Sequence, residues 1–103
     1  SANDMVGQIR VPPWKGLKDG VEADEEASKG KFVVGGLKEE GHGHVVIIVK
    51  RKADEILEHD KYPLAYWGRY KSVGEKRKTV NWSWTKDVRD QVIYSVFEGE
   101  FIV

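Results

Sequence analysis

The sequence predicts a small α+β domain: two short N-terminal helices followed by an antiparallel sheet of about four to five strands. Three observations point there. The N-terminal third carries helix-capping signals and a glycine stop. After residue 30 the apolar clusters are short, rich in β-branched or aromatic residues, and separated by glycine or charged turns. The longest apolar run, Val45-Val46-Ile47-Ile48-Val49, is five β-branched residues and far too short to span a membrane. A run of that kind reads as a strand buried on both faces.

Asn3-Asp4-Met5-Val6-Gly7-Gln8-Ile9 predicts the first helix, with Asn3 as cap and Met5 and Ile9 on one face. Pro12-Pro13 ends it, because a residue before proline is driven out of the helical region. Trp14 falls in the following loop as a plug over the core. Asp19-Gly20-Val21-Glu22 has capping-box spacing and predicts a helix over residues 20–29, stopped by Gly30. Its inner face is Val21, Ala23 and Ala27, and its acidic residues read as a solvated face. Residues 31–37 and 41–50 pair as a hairpin across the turn at 38–41. Residues 51–61 are polar, with His59 exposed. Residues 62–68 form the next strand, with Pro63 at its start. Residues 69–77 read as a long basic loop, and 78–84 as an extended segment placing Trp82 and Trp84 on one face. A single turn starts at Thr85, residues 91–97 form a further strand, and 101–103 close the chain.

At 103 residues the chain fits one domain, 1–103, with one core. Lys plus Arg and Asp plus Glu each number 17, so the net charge is zero. That removes the bulk electrostatic case for nucleic acid or an anionic membrane as partner. Cysteine is absent, which excludes disulfides, thiolate metal sites and a thiol nucleophile within these residues. No cofactor-binding motif, phosphate loop or serine nucleophile elbow occurs.

His44 is the leading chemical candidate. It stands where Gly41-His42-Gly43 meets the buried run, and reads either as a held base or as an ordinary strand-end residue. A ring lining a cleft titrates near the free-imidazole value of about 6.5. His42 and His44 share a face if extended, but zinc needs three or four ligands and no further one is specified, so no metal site is assigned. Trp67, Tyr70, Trp82 and Trp84, beside Arg69, Lys71, Lys76, Arg77 and Lys78, suit either a stacking surface for sugars or single strands, or core packing beside a solvated loop.

Five segments in order carry a resemblance: Ala2-Asn3-Asp4-Met5-Val6; Gly30-Lys31-Phe32-Val33-Val34-Gly35-Gly36-Leu37; Gly41-His42-Gly43-His44-Val45-Val46; Tyr62-Pro63-Leu64-Ala65-Tyr66-Trp67-Gly68; and Val80-Asn81-Trp82-Ser83-Trp84. Together they resemble the C-terminal part of papain-like cell-wall thiol hydrolases, the group of CHAP and NlpC/P60 amidases and endopeptidases. In that group a cysteine attacks an amide, a histidine on the following sheet activates it, and a polar residue orients the histidine. The resemblance implies that His44 is the base, vestigial or incomplete here because the cysteine is missing. Tyr66 is the candidate orienting residue, with Asn81 behind it, and His42 matches no role. It also implies a bacterial, secreted or periplasmic setting and cell-wall glycopeptide or a protein as partner. Three readings follow: a hydrolase-type domain separated from its nucleophile, a non-catalytic binding module, or an unrelated interaction domain of small α+β type.

Overall fold

The computed structural model describes residues 1–40, 43–69 and 72–100. Among these, two helices and six strands occur in the order α1 (Ala2–Gln8), β1 (Trp14–Leu17), α2 (Gly20–Ser28), β2 (Val33–Leu37), β3 (His44–Ile48), β4 (Leu64–Arg69), β5 (Ser72–Thr79) and β6 (Ile93–Phe97). Short 3-10 turns at Val80–Trp82 and Arg89–Gln91 lie between β5 and β6. The strands form one sheet in the order β1-β6-β2-β3-β4-β5, antiparallel throughout. The α+β class is as expected, and the strand count exceeds expectation. One additional strand, β1, lies between the helices and takes Trp14 with it. There the indole packs on Phe32 and Phe97, with ring centroids 5.5 and 5.2 Å apart.

The other additional strand is β5, where the basic composition suggested a loop. It is an edge strand, paired on one side with β4. Lysine and arginine are ordinary there, because they discourage a second chain from pairing with the open edge. The expected extended segment 78–84 divides accordingly: β5 stops at Thr79 and the chain turns through Val80–Trp82. The closing residues 101–103 lie outside the described residues.

Side chains alternate across the sheet. One face carries Val33, Val46, Ile48, Ala65, Trp67, Tyr94 and Val96, which pack with Ala23 and Ala27 of α2 and with Tyr62, Val80, Trp84 and Val92. The other face receives α1 through Val6 and Ile9, both buried. Gly36 makes that approach feasible, since a Cβ there would stand 2.9 Å from Val6 Cγ2. Beyond the reach of α1 this second face is open. Ile47 is therefore 45% exposed, and β3 is buried on one face only, not on both as its composition suggested.

The helix signals were partly misread. Ser1, not Asn3, caps α1: its hydroxyl accepts from Asp4 N, and Asp4 returns a bond to the cap. The buried pair of α1 is Val6 and Ile9, while Met5 is half-exposed. In α2, Asp19 caps as predicted, accepting from Glu22 N at 3.0 Å, and Gly30 at φ +83° follows the helix end. Glu22 reaches back to Lys18 N rather than to the cap itself. Asp24 departs from the solvated-face reading. It is 4% exposed and meets Arg51 through two hydrogen bonds of 2.7 and 3.0 Å.

Candidate functional site

His44 opens β3 opposite Leu37 of β2, on the sheet face that also carries Val46. Gly43 precedes it for a steric reason. A Cβ at residue 43 would lie 2.3 Å from Asn3 Oδ1 and 2.8 Å from the Leu37 carbonyl. Asn3 itself is clamped to Glu39, donating to its carbonyl at 3.0 Å and accepting from its N–H at 3.2 Å. The exit from β2 is thus tied to the first turn of α1.

The ring of His44 is half-buried and held on two sides. Its Nε2 lies 2.5 Å from Ser83 Oγ. Its plane meets Trp84 edge to face at 5.1 Å, a contact that contributes about 0.5–1.5 kcal/mol beyond simple burial. Both partners come from the segment just after the Val80–Trp82 turn, so the return of the chain from β5 carries them back across the sheet to β3. When Nε2 carries the proton and donates to Ser83, the lone pair resides on Nδ1, the arrangement a general base requires. Trp84 is 6% exposed, and its Nε1 has no hydrogen-bond partner among the described residues.

Ser83 was not singled out in the sequence. The signal was its place between two tryptophans, since alternation around a short turn sends neighbouring side chains in different directions. Tyr66, the orienting candidate, is not brought to His44. It pairs with Ile47 and therefore lies on the opposite face, where its hydroxyl interacts with Arg77. Asn81 has its side-chain oxygen buried without a hydrogen-bond partner among the described residues. His42 and Tyr70 lie outside the described residues. His59 is exposed, as expected, and stacks edge-on against Tyr62.

The three tryptophans do not form one surface. Trp67 and Trp84 are each 6% exposed and belong to the core, because the large apolar face of the sheet needs filling. Trp82 is 63% exposed. It donates through Nε1 to Glu58 Oε2 at 3.0 Å, and Thr79 Oγ1 donates to the same oxygen at 2.7 Å. These bonds hold the Glu58 carboxyl below the usual carboxylate range, with Thr79 the larger cause. No group of three or more metal-ligating side chains gathers among the described residues. No helix among them is long and apolar enough to cross a membrane.

No protein-family model matches the chain. The chain is similar to a peptidoglycan amidase. It is 32% identical over 100 residues to the peptidoglycan amidase Tse1 of Pseudomonas aeruginosa. That alignment takes in 94% of this chain and spans 62% of the length of the Pseudomonas protein. The relationship to cell-wall amidases expected from the five segments is met at that level.

Proposed function

We propose that this chain is the histidine-bearing part of a peptidoglycan amidase-type thiol hydrolase of the CHAP and NlpC/P60 kind. The observation that carries the reading is the His44 ring, fixed at the mouth of β3 between Ser83 and Trp84. Similarity to a peptidoglycan amidase over nearly the whole chain supports the same substrate class. His44 takes the role of general base, and Ser83 that of the residue fixing its tautomer and plane. In such chemistry the base removes the thiol proton, the thiolate attacks the amide carbonyl, and the imidazolium returns the proton to the departing amine. The 103 residues hold no cysteine, so by themselves they supply the base side of that exchange and form no acyl-enzyme.

Nitrogen-15 NMR of the imidazole tests the reading directly. At a pH above the ring's titration, the expected form has the proton on Nε2 and the lone pair on Nδ1. A ring protonated on Nδ1, with its lone pair turned to Ser83, contradicts a base role. The chain is also incubated with purified peptidoglycan and new free amines are measured. None is expected, and their release shows that these residues catalyse by another route.

A further inference from the structure

The geometry points to a sugar-binding subsite built on Trp82 and Glu58, taking a pyranose of the glycan strand that peptidoglycan presents. This rests on the cell-wall reading for its occupant and on a separate part of the molecule for its geometry. Trp82 is 63% exposed and so presents its indole face to solvent. Trp82 is not loose, however. Its N–H is bonded to Glu58, which fixes the ring by its edge. Glu58 is in turn fixed by its own backbone, which exchanges two hydrogen bonds with Tyr62 at 3.1 and 3.0 Å. The loop closing that exchange places His59 and Asp60 at φ 52° and 59°, a conformation these two residue types tolerate better than most.

The result is a rigid aromatic plate with a carboxylate at its edge. It borders a shallow cleft of about 380 Å³ shared by Leu64, Arg77, Lys78 and Thr79, within the range of about 300–1,000 Å³ usual for small-ligand pockets. A pyranose has the matching chemistry. Its axial C–H groups form an apolar face suited to the indole, and its equatorial hydroxyls are donors suited to a carboxylate. Glu58 remains ionised for this purpose, since the bonds from Thr79 and Trp82 favour its charged form. A carboxylate has about four acceptor positions, so a further donor can be accommodated. Trp82 and Ser83 are consecutive, so the plate and the hydroxyl on His44 are mounted on the same turn.

The test uses the intact 103-residue chain and chitotetraose, a soluble β-1,4-linked N-acetylglucosamine tetramer. The Trp82 indole N–H resonance is followed by NMR up to about 10 mM sugar, well above a Kd of about 1 mM. A saturable shift of Trp82, with Trp67 and Trp84 unmoved, is expected. Trp82→Ala should weaken binding about fivefold and Trp82→Phe by less, because loss of a stacking ring costs about 1 kcal/mol. Glu58→Gln should weaken it while leaving the fold intact by circular dichroism. An unmoved Trp82 resonance, or undiminished binding by Trp82→Ala, overturns the subsite. The His44 tautomer is read in the same samples. A failed sugar titration beside the expected tautomer removes the subsite alone, whereas a wrong tautomer beside normal sugar binding removes the base role alone.

Discussion

At the scale of single residues, the site depends on side chains whose importance lies in where neighbours sit. Ser83 is one. Ser83→Ala removes the hydroxyl beside His44 Nε2, and the imidazole should then show a mixture of tautomers by nitrogen-15 NMR. Thermal stability should fall by about 1 kcal/mol or less, as for an ordinary hydrogen bond. A tautomer unchanged in the variant means that Ser83 does not set it. Gly43 is another. Gly43→Ala drives a methyl into the Asn3 amide and the Leu37 carbonyl, and only the former can yield. The expected cost is about 1–3 kcal/mol in chemical denaturation, with displaced His44 ring signals. Sequence reading found His44, because a histidine ahead of a β-branched run is conspicuous. It could not find Ser83, whose contact spans 39 positions and depends on how a short turn redirects the chain.

At the scale of elements, α2 and β5 show what residue types alone reveal and conceal. Capping at Asp19 and arrest at Gly30 are local chemistry and were legible. The fate of Asp24 was not, because a carboxylate on an acidic helix is buried only if a cation arrives, and Arg51 arrives from beyond β3. Asp24→Ala should lower stability by about 2 kcal/mol, since it removes two charge-assisted hydrogen bonds and leaves a guanidinium partly desolvated. Equal stability of wild type and variant in denaturant titration would show that the pair is neutral. The start of α2 is also tight: a Cβ on Gly20 would lie 2.3 Å from the Lys61 carbonyl and 2.8 Å from Pro63 Cδ. Backbone cannot yield as a side chain can, so Gly20→Ala should unfold at lower temperature although alanine favours helix. β5 was missed for the opposite reason. An edge strand needs no apolar alternation strong enough to read, only a partner.

At the scale of the whole molecule, acidic pH should act on the fold through paired carboxylates. Arg77 holds Glu55 down to about 2, aided by the Lys52 N–H. Its folded value lies below its unfolded one, so this contribution is complete above about pH 4.5 and is lost as pH falls toward 2. Asp90, bonded by Tyr62 and Lys61, and Glu26, bonded by Lys29 and Lys31, move in the same direction. The melting temperature should therefore fall through that window, and Glu55→Gln should lessen the fall. A pH-independent melting temperature in the wild type contradicts the assignment. The α+β class was readable because helix caps, β-branched runs and turn glycines are local signals. The split of the sheet into a core face and a partly open one was not, since β3 alone does not disclose how far α1 extends.

The clamp between Asn3 and Glu39 has one more consequence, for motion. The first turn of α1 and the approach to β3 share two hydrogen bonds, so neither can open without the other. They form one cooperative opening unit. In hydrogen–deuterium exchange, the amides of Met5 and Glu39 should lose protection together, and Asn3→Ala should uncouple them. The turn that follows β2 is then only as long-lived as a helix of seven residues at the far side of the sheet.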